Sequence, residues 1–210
     1  MRPSNSRKAF TLLEGLVVGA VLLLLAAVLV PASRSPHMAV RIHCVNNLKQ
    51  VGDAFHLWKA DNRDLYPMNV PVASGGAQEL IATGNVAAVF QVMSNQLASP
   101  KILFCPGDAF HTAATNFNLT PANMSYFISL SACETNPATL LSGDANLLAG
   151  GRPVSAGILN LWTNSPTWTS DRHGGSGNML VADGSVQALA KMGFASDAGT
   201  YYVTNRIVVP

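Results

Sequence analysis

The residues best suited to chemistry crowd one Gly-rich stretch, Asp171-Arg-His173-Gly-Gly-Ser176-Gly-Asn-Met-Leu-Val-Ala-Asp183-Gly184. Asp171 and Asp183, with backbone carbonyls of the loop, offer the oxygen ligands that calcium takes. The dense Asp/Asn run of a calcium loop is missing, so this reading is the lesser one. His173 beside Ser176, with an Asp nearby, has the residue types of a hydrolytic triad. The G-x-S-x-G elbow is absent, because Ser176 is followed by Gly177 and Asn178, and a triad is defined by geometry rather than by residue types. The simpler reading is that Asp183 fixes a hairpin turn at Asp183-Gly184 and His173 hydrogen-bonds adjacent backbone. An enzyme is not expected. His37, His43, His56 and His111 read as isolated surface or helix-face residues.

Two further groups need an explanation. Cys44, Cys105 and Cys133 show no CxxC or CxxH spacing, so a zinc knuckle is not indicated. In an exported chain two of them can pair, and three pairings are possible. The pairing expected is Cys44–Cys105, which would tie an N-terminal helix to the body and leave Cys133 as a thiol. The other group is Glu14, the one charge in an apolar run of 21 residues, Phe10–Val30. A carboxylate deep in lipid costs roughly 2.5–3.5 kcal/mol, so Glu14 is expected to have a function.

That run sets the organisation of the chain. As a helix it would be about 31 Å long, matching the hydrocarbon layer of a bilayer. Arg2, Arg7 and Lys8 precede it, which places the N-terminus on the cytoplasmic side. A secretory signal peptide cut after Val30-Pro31-Ala32, or a plain membrane anchor, would account for the run but not for Glu14.

Lys8-Ala9-Phe10-Thr11-Leu12-Leu13-Glu14 ahead of an apolar span resembles the type IV prepilin signature. The resemblance implies cleavage between Ala9 and Phe10 by a dedicated peptidase, methylation of the new N-terminus, and pairing of Glu14 with the N-terminal amine of a neighbouring subunit. Ala9 stands where the family usually has Gly. Two opposite charges in an apolar bundle compensate each other only in register, so such a pair would act as an assembly key. Some pseudopilins of secretion systems bind calcium near the C-terminus, which is where Asp171 and Asp183 lie.

Beyond the span, Pro31 and Pro36 interrupt the helical path, and Pro36 can occupy the first turn of a new helix. From about Met38 to Asn62, Cys44, Leu48, Val51, Phe55 and Trp58 recur at spacings of 4, 3, 4 and 3, one face of an amphipathic helix. Leu65 to Gly76 reads as a loop, and Asn85 to Leu97 as a helix. Strand-like runs are expected at 101–105, 125–131, 138–142 and 157–162, with a last strand in Tyr201–Val209. The clearest local expectation is a hairpin over 178–190 turning at Asp183-Gly184.

The C-terminal segment is also similar to pilin-like proteins of planctomycetes and verrucomicrobia, whose members end in a histidine, nine residues and Asp-Gly. His173 and Asp183-Gly184 have that spacing within RHGGSGNMLVADGSV. Cys44-Val-Asn-Asn-Leu-Lys-Gln50, Phe104-Cys-Pro-Gly-Asp108 and Ser142-Gly-Asp-Ala-Asn146 carry the likeness as well. The matched segments run from Phe10 to about Leu189.

Composition agrees with an exported or packed subunit. Charged residues are 11% of the chain, against about 25% in ordinary domains, and only Glu79 is charged between Leu65 and Pro100. The net charge of +2, with no basic cluster after the leader, shows no nucleic-acid footprint. The expected fold is α+β, a long N-terminal helix on a small antiparallel sheet. It is organised as leader 1–9, membrane helix 10–30, kinked continuation 31–62 and head 63–210. The expected function is a structural subunit of a type IV pilus-like or type II secretion filament. Before assembly it would be held in the inner membrane with its head outside the cytoplasm. Expected partners are like subunits, the prepilin peptidase and an inner-membrane platform; calcium is the one cofactor option. The alternative is an anchored or secreted surface binding module that does not polymerise.

Overall fold

The computed structural model describes residues 11–29, 36–133, 139–161, 166–189 and 206–210. The chain forms two compact units, Met1–Pro36 and His37–Pro210. Residues 1–10 and 30–35, which carry the expected leader, cleavage point and helix break, lie outside the described residues.

In the first unit, helix α1 runs Leu12–Leu29. Its start is closed by a capping box. Glu14 Oε2 accepts from the Thr11 backbone N–H and from Thr11 Oγ1, each at 2.9 Å, and the Glu14 N–H donates back to Thr11 Oγ1 at 3.3 Å. Leu12, Leu13, Leu16 and Leu22–Leu25 are exposed. Among the described residues no helix is long and apolar enough to cross a membrane. The 18 residues of α1 reach about 27 Å, short of a hydrocarbon layer of about 30 Å.

The second unit begins with helix α2, Pro36–Asp61, whose buried face is Cys44, Leu48, Val51, Phe55 and Trp58. At Gly52 the helix comes so close to the body that a Cβ there would lie 2.8 Å from Leu180 Cδ1. Two short helices follow, α3 Gln78–Ala82 and α4 Val86–Val92. The expected helix over 85–97 is therefore shorter. Asn85 caps it by accepting from the Ala88 N–H, while beyond the helix the Ser94 N–H donates to Gln91 O and the Gln96 and Leu97 N–H groups donate to Met93 O. Met93 and Leu97 are buried regardless, so the apolar spacing there marked burial rather than helix. The expected strand at 101–105 is also corrected. Pro100–Leu103 is a 3-10 turn, with Pro100 in its first turn and Ser99 Oγ accepting from the Lys101 N–H. Proline pre-sets the helical φ, which overrides the strand-like composition.

The strands are β1 Tyr126–Ser129, β2 Leu140–Asp144, β3 Leu147–Ala149, β4 Arg152–Pro153, β5 Gly157–Asn160, β6 Thr167–Trp168, β7 Gly177–Val181, β8 Val186–Leu189 and β9 Arg206–Val209. They form a six-stranded sheet in the order β5-β9-β1-β2-β7-β8 and a three-stranded sheet in the order β4-β3-β6. Every pairing is antiparallel. The fold is thus α+β. The expected strand within Tyr201–Val209 is seen as β9, with 201–205 outside the described residues.

Alternation along the strands sorts the core into two layers. Tyr126, Ile128, Leu141, Leu180 and Val208 face the cluster that contains the α2 face and α4. Phe127, Leu140, Met179, Val181, Ile207 and Val209 face a smaller cluster with Leu147 and Trp168 of the second sheet. Between β7 and β8 the turn closes with Gly184 N–H on Val181 O and Val181 N–H on Ser185 O, both 2.9 Å. Gly184 has φ 83°, a left-handed conformation that glycine adopts without a Cβ penalty. Asp183 Oδ1 accepts from the Ser185 N–H at 2.8 Å.

Candidate functional site

Four separate segments meet in one buried cluster: Cys44 on α2, Cys105–Asp108 after the 3-10 turn, Asp144 at the end of β2, and Arg172-His173 in the loop before β7. Cys44 and Cys105 form a disulfide across a sequence separation of 61, and both are fully buried. The Asn47 side chain, one turn along α2, donates to Phe104 O at 2.9 Å and holds the same segment. Cys133 stays outside the bridge and is half-buried.

The loop before β7 places two consecutive polar side chains inside the protein. Those of Arg172 and His173 are only 4% and 1% exposed. His173 has φ 51°, an uncommon value for a non-glycine residue that costs of order 1–3 kcal/mol and has to be held by its surroundings. Gly107 packs against it, since a Cβ on Gly107 would lie 3.4 Å from His173 Cε1.

Arg172 is the hub of the first network. Its Nη2 pairs with Asp108 Oδ2 and its Nη1 donates to Ser125 O at 2.9 Å. Asp108 Oδ2 also accepts from Ser125 Oγ at 2.7 Å and lies 2.8 Å from His111 Nδ1. Asp108 Oδ1 accepts from the Phe110 and His111 N–H groups. Burial pushes the Asp108 carboxyl up, but Arg172, Ser125, the Phe110 N–H and His111 outweigh it and hold it below its ordinary value. His111 is thus a partner of Asp108, not the isolated residue expected from the sequence.

His173 and Asp144 make the second network, joined to the first through the Cys105 N–H, which donates to Ser125 Oγ at 3.0 Å. His173 Nε2 lies 3.3 Å from Cys105 Sγ and 3.6 Å from Asp144 Oδ2. Asp144 Oδ2 accepts from the backbone and side-chain amides of Asn178 at 2.8 and 2.9 Å, while Asp144 Oδ1 is buried without a hydrogen-bond partner. Burial raises the Asp144 carboxyl from 3.8 to about 6, against Arg172, Asn178 and Arg41, which favour its charge. Burial, then Arg172 and Arg41, lower His173 from 6.5 to about 4. At neutral pH, then, Asp144 is an anion beside an uncharged imidazole, and their 3.6 Å contact is a polar approach rather than an ion pair.

The residues singled out in the sequence divide accordingly. His173 is at the centre of the cluster and does not hydrogen-bond adjacent backbone through its ring, as the simpler reading had it. Its own carbonyl accepts from Ser176 Oγ at 2.7 Å, so the Ser176 hydroxyl is directed at backbone and not at the imidazole. Asp171 accepts from Thr169 Oγ1, Asp183 serves its turn, and both are exposed. Among the described residues the group placed to ligate a metal is Cys44, Cys105 and His173, without Asp171 or Asp183. Glu14 serves the α1 cap; Ala9 and Phe10 lie outside the described residues. A surface pocket of about 330 Å³ lined by Arg63, Leu65, Val70 and Pro71 includes none of the cluster.

Asp108, Arg172, Asp144 and Asn178 had no role assigned from the sequence. Each lies in one of three short segments, 104–108, 142–146 and 172–186. What those segments share is this one buried meeting point. No protein-family model matches the chain, and no curated protein or solved structure matches it either.

Proposed function

We propose that the chain is a pilin-like structural subunit of a type IV pilus-like or type II secretion filament. The observation that carries this reading is Lys8-Ala9-Phe10-Thr11-Leu12-Leu13-Glu14 leading directly into the apolar helix α1. A peptidase cuts between Ala9 and Phe10, the new N-terminus is methylated, and subunits stored in the inner membrane pack through their apolar helices. Head-to-tail contacts of this kind do not close, so they build a helical filament. The exposed leucines of α1 suit such packing. The disulfide from α2 to the head and the buried ion pair suit a head that stays folded outside the cytoplasm.

One observation favours the second reading, an anchored module that does not polymerise: the capping box already satisfies Glu14 within its own chain. The two accounts separate on one pair of variants. Glutamine at the third helical position keeps a capping box but carries no charge. If Glu14 pairs with a neighbour's N-terminal amine, Glu14→Gln and Glu14→Ala both abolish filaments in host cells while the protein still accumulates. If the module does not polymerise, the parent forms no filament either, and Glu14→Gln, which keeps the cap, accumulates in the membrane like the parent.

A further inference from the structure

We propose that the reduced chain binds one zinc-class divalent cation through Cys44, Cys105 and His173, with Asp144 as fourth ligand, so that disulfide and metal site are alternative states of the same residues.

One ligand atom from each of Cys44, Cys105 and His173 already lies within 4.8 Å of the others. A tetrahedral site with metal–sulfur bonds of about 2.3 Å and metal–nitrogen bonds of about 2.0–2.1 Å places its ligand atoms about 3.3–3.8 Å apart. The Cys105 Sγ–His173 Nε2 separation, 3.3 Å, is an edge of that size, and Asp144 comes within 3.6 Å of His173 Nε2 through Oδ2. Breaking the disulfide lets the two sulfurs move apart, and the Asp144 carboxylate has to turn Oδ1 toward them.

The fourth ligand is the observation that a disulfide alone does not explain. Asp144 is fully buried and one of its oxygens has no partner, which is costly for a carboxylate. The other oxygen is oriented by two amide donors from Asn178, the kind of support that metal-ligating carboxylates receive. Charge also balances. A dication with two thiolates is neutral, Asp144 is offset by Arg41, and Asp108 is already paired with Arg172.

The conversion needs a reductant, here a dithiol. It transfers two electrons and two protons to the Cys44–Cys105 bond, giving two thiols and the cyclic disulfide of the reductant. The cation then displaces both thiol protons to solvent as it forms two metal–sulfur bonds. The inference stands apart from filament assembly, since all four residues lie within the second unit, His37–Pro210.

The test uses the full chain in detergent carrying Cys133→Ser, so that only the two bridge cysteines remain. It is reduced with a dithiol, freed of reductant under argon and titrated with Co²⁺. The expected result is tetrahedral ligand-field absorption with a sulfur-to-cobalt charge-transfer band, saturating at one equivalent and bleached by Zn²⁺. The unreduced chain should show neither band. His173→Gln and Asp144→Asn should each weaken binding at least about tenfold. His173→Cys, which replaces nitrogen by sulfur, should bind with a stronger charge-transfer band, and circular dichroism checks the fold of each variant. A reduced chain that gives no such bands, an unreduced chain that gives the same bands, or folded His173→Gln with unchanged affinity would overturn the proposal.

Discussion

His173 Nε2 sits 3.3 Å from Cys105 Sγ, so the histidine of the C-terminal motif faces the disulfide that fastens α2 to the head. The two residues are 68 positions apart in the chain. Their contact depends on the left-handed backbone at His173, on Gly107, and on the Arg172–Asp108 pair on either side. The cluster is therefore one unit of structure, and each of its parts has a measurable weight.

The disulfide closes a loop of about sixty residues, for which chain entropy predicts about 4 kcal/mol of stabilisation. Cys44→Ala with Cys105→Ala should lower the unfolding free energy of the second unit by about 2–5 kcal/mol. Cys133→Ser should shift it far less. Equal losses from the two variants, compared by urea unfolding, would contradict the assigned bridge.

Arg172→Ala leaves Asp108 buried with its cationic partner gone, and should cost about 3–5 kcal/mol by chemical denaturation. Asp108→Asn combined with Arg172→Met removes both charges together and should recover part of that loss. A double variant no better than Arg172→Ala would show that the pair is not the source of the effect.

Stability against pH should expose two opposed titrations. The Asp144 carboxyl is raised from 3.8 to about 6, so its contribution is present below 3.8 and lost as pH rises through about 6. His173 is lowered from 6.5 to about 4, so its contribution is present above 6.5 and lost as pH falls through about 4. In the parent the slopes largely cancel between these values. Asp144→Asn should leave a stability that rises with pH over this range, and His173→Gln one that falls, each by about 3 kcal/mol. Urea unfolding at a series of pH values measures both; slopes of the same sign in the two variants would contradict the assignment.

At Gly143 on β2 a Cβ would lie 2.7 Å from Phe127 Cζ and 2.9 Å from Asn178 O. The ring can shift but the carbonyl belongs to the β7 backbone. Gly143→Ala should cost about 1–3 kcal/mol by overpacking. Because β7 carries Asn178, it should also disturb the carboxylate of Asp144. A thermal midpoint equal to the parent's would show that the strands separate more easily than this geometry allows.

The sequence was most readable where a single period or a single turn decides the outcome. The 4-3-4-3 spacing from Cys44 to Trp58 is the buried face of α2, and Asp183-Gly184 is the β7–β8 turn. Apolar spacing misled at Met93 and Leu97, where burial continues after the helix ends, and at 101–105, where Pro100 imposes a 3-10 turn on residues of strand-like composition. The short strands β3, β4 and β6 gave no signal, since pieces of two or three residues are too brief to show alternation. The cluster itself was visible only in fragments. Nothing in the local pattern marks Asp108, Asp144 and Arg172 as buried, because Asp144 and Asn178 are 34 positions apart and Arg172 and Asp108 are 64 apart. Glu14 was legible as a residue needing a reason, but Thr11 supplies a local one that the apolar run concealed.

The central claim is tested most directly by intact mass and N-terminal sequencing of the protein from host membranes, or after co-expression with its own peptidase. The account predicts a chain beginning at methylated Phe10, with residues 1–9 removed. A chain beginning at Ser33, or one retaining Met1, would contradict it and point instead to a secreted or merely anchored module.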